Sequence, residues 1–130
     1  MKKLLLALLL FASPAFADNS FPPARYDIGG DTIEEAVANF RAIYGSAASI
    51  QAVPFGSAQA TCDPISRRVW GVNWPSDATA TNGKILYGCS VQGASFPEIV
   101  YSYTNDPEFA LRIFRHEAGH ILGWPGHHPD

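Results

Sequence analysis

Ile33, Val37, Phe40 and Tyr44 lie on one stripe of a 3.6-residue repeat, which predicts a helix over 32–44 with that stripe in the core. Its start is marked by Asp31-Thr32-Ile33-Glu34, an acceptor side chain followed three residues later by Glu, as in a capping box. Gly45 supplies the stop. The next stretch, 46–61, is rich in Ala, Ser and Gly and predicts only a short strand over 49–53. From Arg67 to Trp74 the pattern alternates, with Val69, Gly71 and Asn73 opposing Arg68, Trp70, Val72 and Trp74, so a strand is expected there. Polar turn residues fill 75–83. Lys84–Val91 and Glu98–Tyr103, rich in β-branched and aromatic residues, predict two further strands. Asn105-Asp106-Pro107 then provides an N-cap and a first-turn proline. The helix they open is expected to reach Leu122, where Gly123 and Pro125 end it. Helix, three or four strands, helix is an α+β order, with a small, mainly antiparallel sheet.

A different pattern occupies the N-terminus. Met1-Lys2-Lys3 is followed by an unbroken apolar run from Leu4 to Ala12, a Ser13-Pro14 break, and small residues at Ala15 and Ala17. This is the layout of a secretory signal peptide, residues 1–17. The apolar run is about half the roughly 20 residues a membrane-spanning helix needs. What remains, 18–130, is expected to form a single domain, opening on an extended lead-in with Pro22-Pro23 and Gly29-Gly30. The expected location is therefore outside the cytoplasm, periplasmic or secreted.

Charge narrows the partners. The whole chain carries a formal net charge of −3, and losing Lys2 and Lys3 makes it more acidic. An acidic surface without a basic cluster argues against nucleic acid, and against a membrane once the signal is removed. Two cysteines, Cys62 and Cys89, form an even pair in an exported chain and are expected to be joined as a disulfide; no C-x-x-C spacing points to thiolate metal ligands.

The chemistry concentrates in the second helix, at His116-Glu117-Ala118-Gly119-His120. Histidines at i and i+4 stand one above the other on a helix face, so both imidazoles can reach one ion. Zinc takes such nitrogen ligands at about 2.0–2.1 Å. Glu117 lies roughly 100° round the helix from His116. From there it reaches the open side of the ion without being a ligand, and can act as general base on an attacking water.

His116 to Gly123 resembles the extended HExxHxxG motif of the metzincins and of small bacterial zincins such as snapalysin. The resemblance covers only residues 116–128. It implies a reduced zincin-like fold, zinc as cofactor, and a metallopeptidase acting on peptide or protein substrates as a monomer. His116 and His120 would be the first two ligands, Glu117 the base, and Gly123 the turn that returns the chain to the metal. Two features depart from the metzincin pattern: Gly126 stands where a third histidine is expected, and Met1, the only methionine, leaves nothing for a methionine turn.

Ten residues follow His120, too few for a ligand from a later helix. The third ligand is expected among His127, His128, Asp130 or an upstream residue. His128 is preferred to His127, because the extra residue allows a wider return loop after the stiff Trp124-Pro125 step. Tyr101, Tyr103, Arg115 and the non-ligating tail histidine are candidates to donate to a developing oxyanion. Two alternatives stay open: an exported zinc-binding or interaction protein without turnover, and a cell-wall amide hydrolase using the same metal chemistry.

Overall fold

The computed structural model describes residues 21–72, 85–92 and 96–125. The expected signal peptide and the tail residues His127, His128 and Asp130 lie outside the described residues. The elements are α1 (Ile33–Tyr44), β1 (Ser49–Pro54), α2 (Ala58–Trp70), β2 (Gly88–Gln92), β3 (Pro97–Tyr103) and α3 (Pro107–Ile121), with a 3₁₀ turn at Ala24–Tyr26 in the lead-in. The fold is α+β. Among the described residues no helix is long and apolar enough to cross a membrane.

Both predicted helices form where their caps place them. Thr32 caps α1: its hydroxyl accepts from the Glu35 N–H at 3.1 Å, while the Glu35 carboxylate accepts from the Asp31 N–H at 2.8 Å. The capping box is thus Thr32–Glu35, one residue later than expected. Asp106 caps α3 by accepting from the Glu108 N–H at 3.0 Å, with Pro107 in the first turn.

The segment expected as a strand from Arg67 to Trp74 is instead the end of α2, which spans Ala58–Trp70. Residues 73 and 74 lie outside the described residues. Two-residue alternation fits the short window, but Ala58, Cys62, Ile65 and Val69 recur at helical spacing over a longer one. Ala58, Cys62 and Ile65 are buried on the sheet, with Val69 packed against them. This helix also explains why the sheet is mixed rather than mainly antiparallel. Its strand order is β1-β3-β2, with β1 parallel to β3 and β2 antiparallel to it. Parallel neighbours need a long crossover, and the connection from β1 to β3 passes through α2.

β3 is the central strand, and its adjacent residues feed two cores. Ile99 joins Ala36, Phe40, Leu111, Phe114 and Ala118, where α1 and α3 cover one face. Val100 faces the other way and joins Val53, Cys62, Ile65, Cys89 and Val91 beneath α2. The Cys62–Cys89 disulfide is present and ties α2 to the edge strand β2 across a separation of 27 residues. In the chain-entropy model such a link stabilises by about 3.5 kcal/mol. Glu98, buried on β3, receives a bidentate pair of hydrogen bonds from Arg68 of α2, both 2.8 Å.

The lead-in is strapped along α3. Arg115 donates to Asp27 through Nε at 2.9 Å and Nη2 at 2.5 Å, and through Nη1 to the Gly30 carbonyl at 3.0 Å. Its guanidinium lies 4.1 Å over the Phe21 ring. Burial by itself raises the Asp27 carboxyl pKa. The hydrogen bonds and charge of Arg115, with the Gly29 N–H, outweigh it and hold the group below its ordinary value. A carboxylate held low contributes stability above the unfolded-state pKa and loses it as pH falls through the folded one. Replacing Asp27 with Asn should therefore cost about 2 kcal/mol near neutral pH. The gap to the wild type should close below about pH 4. Urea unfolding at a series of pH values reads this, and parallel acid limbs in the two proteins would contradict it.

Candidate metal centre

α3 is buried on most of its circumference, and its residues sort by angle. Leu111, Phe114 and Ala118 face α1 and the first core. Arg115 faces the lead-in, and Gly119 lies under Pro22. His116 and Glu117 are buried as well, with 3 % and 9 % of their surface exposed. Two ionisable groups buried together on one helix are uncommon, because burying either unpartnered is costly.

The structure brings His116 and His120 together as the spacing predicts. Their Nε2 atoms lie 3.3 Å apart, with the rings near perpendicular at 83°. Nδ1 of His120 lies 3.1 Å from the Trp124 carbonyl oxygen. A carbonyl only accepts, so Nδ1 carries the proton of that bond and the bare Nε2 faces His116. Burial pushes the His120 pKa below the ordinary imidazole value, with the Trp124 carbonyl partly opposing it.

Trp124 arrives there through the way the helix ends. Gly123 has φ of 114°, a conformation that favours glycine. The Gly123 N–H bonds to the His120 carbonyl at 3.1 Å and the Trp124 N–H to the Gly119 carbonyl at 2.9 Å. These two bonds are those of a Schellman motif. They fold the chain back, so that the indole stacks on His120 at 5.0 Å and 13° and meets His116 edge-on at 5.0 Å and 71°. In the sequence, Trp124 was visible only as the residue before a proline, and no local pattern marks an indole as the neighbour of both histidines.

Gly119 matters for its missing side chain. A Cβ there would stand 2.8 Å from Cγ and 2.9 Å from Cβ of Pro22, and 3.1 Å from Cε3 of Trp124. Helix, lead-in and indole thus close on one another at this point.

The upstream oxyanion candidates do not converge on the pair. Arg115 is engaged by Asp27 and Gly30. Tyr101 packs edge-on against Phe114 at 5.5 Å and lines a shallow groove with Ile33, Glu34 and Val37. Phe114 is about 200° round α3 from His116. Burial, and secondarily Glu34, raises the Tyr101 pKa. Tyr103 is the last residue of β3 and half exposed, and His116 stands nine residues, about 13 Å of helix, beyond the first residue of α3. A second groove, lined by Asp31, Glu34, Pro107, Glu108 and Leu111, lies at the far end of α3. Neither groove contains His116, Glu117 or His120. Among the described residues no group of three His, Cys, Asp or Glu gathers about one point. His127 and His128, the expected third ligands, lie outside the described residues. No family model, curated protein or solved structure matches the chain. What the centre does has to follow from its own residues.

Adding a methyl at Gly119 tests this packing. Gly→Ala inside a helix ordinarily gains about 1 kcal/mol. Here it meets a proline ring, and overpacking of this kind costs about 1–3 kcal/mol. Gly119→Ala should therefore leave the protein less stable in urea unfolding. A stabilised variant would mean that Pro22 does not press on the helix.

Proposed function

We propose that the protein is an exported, zinc-dependent metallopeptidase, with His116 and His120 as two zinc ligands, a tail histidine as the third, and Glu117 as the general base. One observation carries the reading: the 3.3 Å approach of two imidazole Nε2 atoms, with the Nδ1 of His120 engaged by a backbone carbonyl. Two nitrogens bound tetrahedrally to one zinc at about 2.0–2.1 Å stand about 3.3–3.4 Å apart. The donor set therefore fits zinc, in both chemistry and spacing. The Cys62–Cys89 disulfide supports export, since such bonds persist in oxidising compartments.

Bound zinc supplies Lewis acidity, which acidifies water and polarises a carbonyl. The remaining work falls to the chain. The Trp124 carbonyl and the Schellman turn hold His120 in one tautomer and orientation. Glu117, adjacent to His116 and mostly shielded from solvent, takes the proton of the attacking water and passes it to the leaving amine. Burial strengthens each of these electrostatic interactions.

One observation favours a second reading, an exported zinc-binding protein without turnover. Two grooves, one lined by Ile33, Val37 and Tyr101 and the other by Thr32, Pro107 and Leu111, lie away from the histidine pair. A cell-wall amide hydrolase would use the same centre on a different bond.

Purified protein should contain one zinc per chain by elemental analysis. Glu117→Gln should retain that zinc while hydrolysis of a diverse peptide library falls by about 10²–10⁴-fold. Bound zinc with no cleavage by the wild type, of peptides or cell-wall fragments, would favour the binding protein. Absence of zinc would sink both.

The tail is tested separately. His128→Ala should weaken zinc binding by more than about 100-fold, beyond the 10–100-fold typical of groups that only orient a ligand. His127→Ala should stay inside that range. Equal, negligible losses in a chelator competition would place the third ligand elsewhere.

A further inference from the structure

We infer that Trp124 is a positioning residue for this centre, setting the tautomer of His120 with its carbonyl and holding both imidazoles with its indole. The inference rests on the proposed metal-binding role of His116 and His120, and names a residue that the motif does not contain.

The backbone comes first. A histidine can bind a metal through Nε2 only when that atom is unprotonated, and which nitrogen carries the proton depends on the hydrogen bond made by the other. The Trp124 carbonyl, 3.1 Å from His120 Nδ1, keeps the proton on the side away from His116. That carbonyl is fixed because the Trp124 N–H is itself bonded to the Gly119 carbonyl at 2.9 Å. One residue thus donates to the helix with its N–H and accepts from the metal-site ring with its C=O.

The indole adds orientation. It is nearly parallel to the His120 ring, at 13°, and meets His116 edge-on. A ring lying flat on one imidazole and against the edge of the other limits rotation about χ2 in both. Pro22 lies against Gly119, where the indole edge also approaches, so the lead-in backs the same contact. Imidazoles ordered before the ion arrives lose less entropy on binding it.

The test uses the purified protein and two readouts. Long-range ¹H–¹⁵N correlation of the imidazole rings, recorded without metal above the titration range of histidine, should show His120 protonated on Nδ1 and bare on Nε2. Chelator competition should show Trp124→Ala binding zinc about 10–100-fold more weakly than the wild type. Trp124→Phe, which keeps an aromatic ring, should recover most of that loss. His120 protonated on Nε2, or full zinc affinity in Trp124→Ala, would overturn the inference while leaving the metal centre standing. A wild type that binds no zinc would overturn both. If Trp124→Ala does not fold, the wild-type tautomer and the Phe variant still decide.

Discussion

Burying His116 and Glu117 on the helix that also carries the main core is the constraint on which the rest of this structure depends. α3 supplies Leu111, Phe114 and Ala118 to the first core and, between Phe114 and Ala118, buries two ionisable side chains, His116 and Glu117. A helix in that position cannot lean on water for its polar groups, so its neighbours must provide partners. The lead-in and the helix C-terminus do this for the neighbouring Arg115 and His120. Arg115, next in sequence to His116, is held by Asp27 and Gly30. His120 is held by the carbonyl of Trp124. Helix register is therefore fixed from two sides, close to the two histidines whose spacing depends on it.

The sheet sets α3 in place at longer range. β3 lies between a parallel and an antiparallel neighbour, and its alternate residues are buried on opposite faces. α2 covers one face and is tied to the edge strand by the Cys62–Cys89 bridge and to the central strand by Arg68–Glu98. α1 and α3 cover the other face, where Phe40 meets Phe114 edge-on at 5.8 Å and Tyr101 meets the same ring. Aromatic pairs in this geometry add to simple burial. Phe114 and His116 point in nearly opposite directions. The contact that docks the helix is thus the one that turns the histidines away from the core.

What could be read in the sequence was what local geometry decides. Thr32, Asp106, Pro107 and Gly45 mark helix ends because their effect is confined to a turn, and both helices they bound appear within a residue of expectation. The convergence of His116 and His120 was legible for the same reason, since an i, i+4 pair needs nothing beyond its own helix. Arg67 to Trp74 misled because a two-residue alternation was read over a window that opened in the middle of a helix. The stripe that decides it begins at Ala58, in a stretch whose Ala and Ser content looked uninformative. The strap could not be read at all. Arg115 and Asp27 are 88 residues apart, and each taken singly looks like an ordinary surface charge.

The motif and the centre are therefore not the same set of residues. His-Glu-x-x-His fixes two ring positions and one carboxylate, but it leaves open which nitrogen of His120 is bare and how either ring is turned. Those choices are made just beyond it. Gly123 takes a backbone conformation that L side chains rarely adopt, and that alone lets the next residue bring its N–H, C=O and side chain back over the helix. Gly119 completes the fit from within the motif, because its missing side chain makes room for Pro22 and for the indole. A chain with the same five motif residues but another residue at 123 would keep the spacing of its histidines. It would lose the groups that orient them.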